Sequence, residues 1–258
     1  MSKCAAYAVT RNLYDDVLPS IKSLLMNSDV EKVYLLIEDD EFTGELPKEV
    51  TCINVSNLKT FRATGPNMVY PHAYMSMMRA NLHNLLPDEE KVLSLDVDVI
   101  VDSNISELWA LNLDAYYFAA VPEPAKSTEK QTYTNTGVAM FDLDNLRDGK
   151  GDEIIHALNW RRYDFLDQDA LNDRCQGHIL PISSTYNATN FTEPAKNPKI
   201  IHFAGVRNWT HDPLVEKYRE IQLSEIRKPR RGRRPIERDV LADEPAKTVE
   251  QIGFDGPF

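Results

Sequence analysis

The sequence lacks long apolar runs, has only three cysteines and carries fewer positive than negative charges. Because a membrane-spanning helix needs about 18 or more consecutive apolar residues, no such helix is expected. Cys4, Cys52 and Cys175 are odd in number and far apart, so neither a disulfide framework nor a cysteine metal site is expected. The short apolar segment near the amino terminus predicts a core strand, because it is too short for the apolar region of a secretory signal. These features predict a cytoplasmic protein with free thiols.

With 29 basic and 40 acidic residues, the formal net charge of −11 argues against nucleic acid as a partner. The exception is the segment RKPRRGRR at residues 227–234, which carries six positive charges. A dense block of one sign usually lies outside a core, so we expect one domain at residues 1–225 and a basic, proline-rich tail at residues 226–258. The tail is either solvated or makes peripheral contact with anionic lipid at the inner face of a membrane.

Hydrophobic periodicity alternates between strand and helix patterns along the chain. Strands are predicted at residues 5–9, 33–37, 52–55, 93–101, 116–121, 137–141 and 199–203, and helices at 15–26, 73–85, 152–159, 167–173 and 214–222. The stretches 56–71 and 122–133 lack a period and are predicted to be loops. This alternation predicts an α/β protein whose sheet has parallel members.

The most informative strand is LSLDVDVIV at residues 93–101, which contains Asp96 and Asp98. Two acids at positions i and i+2 of an extended chain point to the same face. Burying two like charges side by side is costly unless a cation lies between them. Because open α/β sheets bind ligands at the carboxyl ends of their strands, the pair indicates a divalent-metal site. Alone, an Asp-x-Asp pair is weak evidence, because such pairs occur often by chance as solvated strand ends.

Two more polar clusters follow apolar segments, one at residues 164–169 and one formed by His202 and Gly205. Two carboxylates and an imidazole make an incomplete coordination shell that suits manganese or magnesium, and substrate phosphate would fill its open positions. Such an ion acts as a Lewis acid on a diphosphate leaving group. Gly205 would allow close approach of backbone to phosphate. The alternative for His202 is a hydrogen-bonded core histidine.

Five motifs resemble, in order, those of the family-8 retaining glycosyltransferases, which include glycogenins and bacterial lipopolysaccharide galactosyltransferases. They are AVTRNLY, KVLSLDVDVIVDSNISELW, TNTGVAMFDL, DFLDQDALN and IIHFAGVRNW, and with the first strand they span residues 5–209. The resemblance implies a single GT-A-like α/β domain, the nucleotide-diphospho-sugar transferase fold, with a mixed, mostly parallel central sheet flanked by helices.

The resemblance also implies roles for individual residues. Asp96, Asp98 and His202 would bind Mn²⁺ or Mg²⁺. The nucleoside, expected to be uridine, would be contacted by Val9, Thr10, Asn12, Tyr14 and the backbone of Val97. The donor sugar or its phosphates would be contacted by Arg79, Asn135, Thr136, Asp164, Asp167, Gly205 and Arg207. Gln168 would lie beside the anomeric carbon, and Asp167 is the alternative nucleophile.

The last motif departs from the family pattern. The family ends it with Gly-x-x-Lys-Pro-Trp, whereas here Gly205 is followed by Val-Arg-Asn-Trp, without the lysine or the proline. Either Arg207 supplies the missing charge one position earlier, since a guanidinium binds phosphate in bidentate fashion, or the phosphate is held more weakly. The first turn also lacks the acidic residue that some bacterial relatives carry.

The expected function is metal-dependent transfer of glucose or galactose from a UDP-sugar to a glycan or lipid-linked saccharide, with retention of configuration, in polysaccharide biosynthesis. An amide is a poor nucleophile, so front-face attack with Gln168 stabilising oxocarbenium charge is favoured over a covalent intermediate on Asp167, which stays open. One alternative is a protein- or self-glucosylating enzyme like glycogenin. Another is a catalytically impaired nucleotide-sugar- or glycan-binding protein, which the missing lysine would favour.

Overall fold

A computed structural model of the chain describes residues 2–129 and 131–226. The strands within them are β1 (Cys4–Ala8), β2 (Lys32–Ile37), β3 (Val50–Asn54), β4 (Lys91–Leu95), β5 (Val99–Val101), β6 (Phe118–Pro122), β7 (Thr134–Asp142), β8 (Ile179–Pro181) and β9 (Ile200–His202). The α-helices are α1 (Tyr14–Asn27), α2 (Ala73–Met77), α3 (Leu82–Leu85), α4 (Leu143–Asn145), α5 (Gly151–Trp160), α6 (Leu166–Arg174) and α7 (Pro213–Glu220). The expected basic tail lies outside the described residues apart from Ile226, so the two-part division stays a prediction.

Seven strands form the central sheet in the order β3-β2-β1-β4-β7-β6-β8. β7 is antiparallel to its neighbours β4 and β6, and the other four pairs are parallel. The mixed, mostly parallel sheet that the family resemblance implies is therefore confirmed. Because only β7 is reversed, its amino-terminal end lies at the same edge as the carboxyl ends of β1, β4 and β6.

Side chains alternate between the two faces of this sheet, and each face has its own core. Residues such as Ala5 and Tyr7 pack with α1 on one face, whereas Cys4 and Ala6 pack on the other with α2, α5 and α6. The result is three layers of helix, sheet and helix, as alternating strands and helices require. α7 packs against α1.

The predicted strand at 93–101 is divided in two. The chain turns at residues 96–98, and β5 leaves the central sheet to pair with β9 in a separate two-stranded antiparallel sheet, with Val99 opposite His202. Asp96 stays bonded to the central sheet, because its N–H donates to Gly137 at 2.8 Å, while the carbonyl of Asp98 accepts from Phe203 at 2.9 Å. The two acids thus lie in a turn between two sheets, and the prediction that they belong to a strand is wrong.

The predicted helix at 73–85 is also interrupted. A 3-10 turn at Met78–Asn81 separates α2 from α3. Tertiary contacts outweigh helical periodicity here, because the Arg79 guanidinium donates to the carbonyl of Thr136 and the Asn81 amide donates to the Thr60 hydroxyl at 3.1 Å. Among the helices of the described residues, none combines the length and apolarity needed to cross a membrane.

Candidate active site

A cavity of about 900 Å³ lies where the carboxyl ends of the parallel strands meet the first residues of β7. This is the edge at which open α/β sheets bind ligands. Of the site residues predicted from sequence, those lining the cavity are Thr10, Asn12, Arg79, Asp96, Val97, Asp98, Asn135, Thr136, Asp164, Asp167, Gln168, His202 and Gly205. The fold thus brings together segments far apart in the chain.

Asp96, Asp98 and His202 form a cluster that we call the cation site. The Nε2 atom of His202 lies 3.3 Å from Oδ1 of Asp98 and 3.6 Å from Oδ2 of Asp96. One ligand atom from each residue lies within 4.8 Å of the other two, close enough for one ion to contact all three. The register of β5 with β9, which sets Val99 opposite His202, holds the imidazole beside the turn.

A chain of amide hydrogen bonds fixes the orientation of the His202 ring. The backbone N–H of Gly137 donates to Asn135 Oδ1 at 3.0 Å, so this atom is the oxygen, and it also accepts from Asn187 Nδ2 at 2.8 Å. Asn187 Oδ1 then faces Nδ1 of His202 at 2.9 Å, and Nδ1 must be the donor. The other ring nitrogen, Nε2, faces the two carboxylates. A histidine whose second nitrogen donates to a fixed oxygen has the usual geometry of a metal ligand.

The charges of the cation site test whether a divalent ion fits it. Burial lowers the pKa of His202, but its hydrogen bond with Asp98 and the charge of Asp96 outweigh burial and raise that pKa. A proton on Nε2 of His202 therefore neutralises part of the charge of the two carboxylates. A bound cation would displace this proton, since an imidazole binds metal in its neutral form. Two carboxylates and one nitrogen form a donor set suited to manganese or magnesium.

Gly137 makes room for the imidazole. A Cβ atom at this position would lie 2.1 Å from Cε1 of His202 and 2.7 Å from Oδ2 of Asp96. Both distances are shorter than carbon contacts allow. Glycine is therefore required in this strand by close approach of the cation site.

Arg79 connects the cation site to the segment that precedes α6. Its guanidinium donates to Asp96 and to the carbonyl of Thr136, and its Nε lies 2.8 Å from Oδ2 of Asp167. Burial lowers the pKa of Arg79, but Asp96 and Asp167 outweigh it and raise the pKa. Burial raises the pKa of Asp167 to about 7 despite Arg79, with Asp96 acting in the same direction as burial. Both carboxylates are thus held by one arginine.

Gln168 is held at both ends of its amide. Its Oε1 accepts from the backbone N–H of Thr136 at 3.1 Å, and its Nε2 donates to the Tyr133 hydroxyl at 3.1 Å and to Glu123 at 3.4 Å. Tyr133 in turn donates to Asp169 at 2.5 Å. Because a backbone N–H can only donate, the amide orientation is fixed, with its oxygen towards β7.

Glu123 is a cavity residue that the sequence analysis missed. It is almost fully buried just after β6, and its Oε1 accepts from Asn135 at 2.7 Å as well as from Gln168. Its Oε2 pairs with Lys126 at 3.1 Å, and the Lys126 ammonium lies 3.5 Å from the ring centre of Phe165. A single acidic residue in a proline-bearing loop matches no sequence motif of a functional site. Only its position directly after a strand could have identified Glu123 as a site residue.

Three of the predicted site residues do not line the cavity. Val9 is buried and continues the backbone pairing of β1 with β2, and Tyr14 is buried against Phe42 with its hydroxyl donating to Asp39 at 2.8 Å. Arg207 is exposed, whereas Gly205 and Trp209 on either side line the cavity. The cavity-facing residues that the sequence analysis did not assign include Leu13, His72, Glu123, Lys126 and Phe191. Asn187, which orients His202, was also missed.

Comparison with known proteins gives a consistent result. Residues 4–212 match the sequence model of glycosyl transferase family 8. The chain is 27% identical over 240 residues to general stress protein A of Bacillus subtilis, covering 77% of this chain and 84% of that protein. It is 28% identical over 266 residues to lipopolysaccharide 1,2-glucosyltransferase of Escherichia coli, covering 84% of this chain and 77% of that protein. Other matches span less of the relative, for example 38% of a Haemophilus influenzae protein that is 30% identical over 125 residues.

Solved structures share the fold. The galactosyltransferase LgtC, crystallised with donor and acceptor sugar analogues, superimposes with a TM-score of 0.66 at 19% identity, over 83% of this chain and 93% of that one. Such similarity confirms the predicted GT-A-like fold. Together with the family match over most of the chain, it also confirms the resemblance seen in the five motifs and the expected enzyme class. The chain therefore belongs to glycosyl transferase family 8 and is a glycosyltransferase of that family.

Proposed function

We propose that this enzyme transfers a hexose from a UDP-sugar to a saccharide acceptor, with a divalent cation and with retention of configuration. The observation that carries the proposal is that the cation site, Asp167 and Gln168 converge on one cavity, although they come from distant segments. A cation site beside an amide and a buried carboxylate suits cleavage of the bond between a sugar and a diphosphate.

In this proposal Asp96, Asp98 and His202 would hold Mn²⁺ or Mg²⁺. When bound, the ion would act as a Lewis acid on the diphosphate. Arg79 holds Asp96 in place, so that the carboxylate is oriented before any ligand arrives. Thr10 and Asn12 lie on the first turn after β1, where the Thr10 hydroxyl donates to Asn12 at 2.6 Å, and with the backbone of Val97 they would contact the nucleoside.

The role of Gln168 follows from its fixed amide. Preorganised dipoles stabilise charge that develops in a transition state without having to reorganise. Held by Thr136, Tyr133 and Glu123, the amide would stabilise the positive charge that develops on the donor sugar. Asn135, Thr136 and Asp164 would contact the sugar or its phosphates, and Gly205 would lie against phosphate.

The environment of Asp167 supports front-face attack over a covalent intermediate. A carboxylate nucleophile must be ionised and free to reach the anomeric carbon. The Asp167 carboxyl is paired with Arg79 at 2.8 Å, and burial raises its pKa to about 7, so part of the population is protonated near neutrality. In front-face attack the leaving phosphate takes the proton of the acceptor, and Asp167 instead holds Arg79.

The donor and acceptor are proposed from the relatives. Glucose and galactose appear in the names of the Escherichia coli glucosyltransferase and of the galactosyltransferase LgtC. We therefore propose UDP-glucose or UDP-galactose as donor. A glycan or a lipid-linked saccharide is the proposed acceptor.

One observation favours a second candidate, a nucleotide-sugar-binding protein with impaired catalysis. Arg207, the residue that could replace the missing lysine, does not line the cavity. Self-glucosylation gains no such support. Tyr163 and Tyr186 are buried and donate to Asp173 and Glu107 at 2.8 Å and 2.7 Å.

The experiment that tests the proposal is hydrolysis of a panel of UDP-sugars with Mn²⁺, Mg²⁺ or chelator. We expect one UDP-hexose to be turned over and turnover to require the metal. Asp98→Asn should lower turnover on the order of a hundredfold, as loss of a metal ligand or its partner does. The matched control is Asp88→Asn, which changes an exposed acid outside the cavity. Binding of UDP-sugar without turnover would favour the second candidate, and full activity of Asp98→Asn would refute the proposed cation site.

A further inference from the structure

Exposed hydrophobic side chains concentrate in two segments. Among the described residues, eight large hydrophobic side chains are exposed, and five belong to residues 56–71 and 160–165. These five are Leu58, Val69, Tyr70, Trp160 and Phe165. Trp160 is the most exposed of the eight, at 63%. Single exposed apolar residues are ordinary, but a cluster of them marks an interaction surface.

Hydrogen bonds join the two segments into one unit. The Asn67 side chain donates to the carbonyls of Leu158 and Arg161 at 2.6 and 2.7 Å and accepts from the N–H of Tyr163 at 2.8 Å. The N–H of Arg62 donates to the side chain of Asn159 at 2.7 Å. The two segments therefore lie side by side, and we call their exposed side chains the basic aromatic surface.

The charge of this surface is opposite to that of the chain. Lys59, Arg62, Arg161 and Arg162 are all exposed, and Asp164 is the only acid in the two segments. Four cations and one anion give +3, and +2 once Asp173 is included, which pairs with Arg161 at 2.8 Å, on a chain whose formal net charge is −11. Such local reversal of charge complements an anionic partner.

The most exposed aromatic ring is paired with a cation. The Arg62 guanidinium lies 3.9 Å from the ring centre of Trp160. Tryptophan and arginine combine an apolar body with a polar tip, as side chains at membrane interfaces do. Val69, Tyr70 and Phe165 also line the cavity, so the surface reaches the cavity mouth.

We propose that the basic aromatic surface binds an anionic lipid bilayer, with Trp160, Leu58 and Val69 in the interface and Arg62 and Arg162 on lipid phosphate. The aliphatic side chains favour lipid over a soluble saccharide, because leucine and valine have no flat face for a sugar ring. Apolar burial and attraction between cations and anionic headgroups add in this kind of binding. The cavity mouth would then face the membrane. This goes beyond the proposed function and does not depend on it.

Co-sedimentation of the full chain with vesicles tests the proposal, using phosphatidylcholine alone or mixed with phosphatidylglycerol. Only the mixed vesicles should bind, and added salt should weaken the binding. Trp160→Ser combined with Arg62→Gln and Arg162→Gln should lower the affinity about tenfold or more, since each cation near an anionic surface contributes. Trp160→Phe alone should abolish most of the blue shift of tryptophan emission that vesicles cause.

The matched control is Met26→Ser with Lys48→Gln and Lys196→Gln, which removes one exposed hydrophobic group and two exposed cations outside the two segments. It should bind like the wild type. If the triple variant of the surface unfolds, Leu58→Ser with Lys59→Gln gives the same test at two exposed positions.

Three results would overturn the proposal. The first is equal vesicle binding by the surface variant and the wild type. The second is complete loss of binding when the arginines of segment 227–234 are changed to glutamine, which would assign the contact to the tail. The third is absence of vesicle binding together with slower turnover of a soluble saccharide in the surface variant, which would make this surface a glycan site. Hydrolysis of UDP-sugars, measured without vesicles, separates failure here from failure of the proposed function.

Discussion

Gly137→Ala should disable the cation site while leaving the sheet in place. The added Cβ would lie 2.1 Å from Cε1 of His202, whereas two carbons pack at about 3.5 Å, so the ring must move by about 1.4 Å. The strand is restrained at this point, because the Gly137 carbonyl accepts from Asp96 at 2.8 Å, its N–H donates to Asn135 at 3.0 Å and all residues of β7 are buried. Metal–ligand distances vary by only about 0.2 Å, so a displacement of the His202 ring by this much would break its coordination to the ion.

We expect Gly137→Ala to weaken Mn²⁺ binding, measured by calorimetry, and to lower UDP-sugar turnover by about a hundredfold or more, as misplacement by 1 Å does. Overpacking should lower the free energy of unfolding by about 1–3 kcal/mol. The matched control is Val138→Ala on the same strand, whose side chain packs in the core and whose truncation costs about 2 kcal/mol without touching the cation site. Wild-type Mn²⁺ affinity in Gly137→Ala would refute the reasoning.

Three further predictions concern neighbouring groups. Glu123→Ala should lower kcat about tenfold to a hundredfold, because the Gln168 amide loses an acceptor that orients it. Glu123→Gln should restore part of the lost kcat. Equal kcat in wild type and Glu123→Ala would exclude a positioning role for Glu123. The folded-state pKa of Asp167, about 7, exceeds its ordinary value of 3.8, so the proton on Asp167 stabilises the wild type below pH 3.8 and this stabilisation is lost as pH rises through 7. The free energy of unfolding of Asp167→Asn should therefore rise relative to that of the wild type over this pH range. A difference that stays constant with pH, measured by urea unfolding with chelator, would contradict this. Tyr14→Phe should cost about 1 kcal/mol through its lost bond to Asp39 and leave the KM for donor unchanged, and a several-fold rise in KM would show that Tyr14 does contact the donor.

The order of motifs along the sequence was enough to predict which segments meet at the site. Asp96, Asp98 and His202 do lie together, because strands of an α/β sheet end at a common edge and a polar residue after such a strand is placed there by the fold. The family was predicted from the order of the same motifs, and the GT-A-like fold with its mixed sheet was what the family resemblance implied. Whether these residues have their predicted roles is a question for the variants above.

The sequence was less informative about where individual side chains point. Tyr14 and Arg207 lie in motifs that resemble those of the family, yet one packs on Phe42 and the other is exposed outside the cavity. Periodicity could not show that the chain turns at residues 96–98, because the apolar residues on either side continue the strand pattern. Glu123 and Asn187 were missed since their importance comes from partners distant in the sequence. These features depend on tertiary packing.

The position of the cation site between two sheets has a mechanical consequence. Asp96 is bonded to the central sheet, whereas His202 belongs to β9 and the carbonyl of Asp98 accepts from Phe203, which follows β9. An ion held by all three would work as a removable cross-link between the two sheets. The segment at residues 203–209, which follows β9 and borders the cavity, would be restrained whenever the ion is present. Hydrogen exchange in β9 should therefore slow on addition of Mn²⁺, so that the backbone itself reports occupancy of the site.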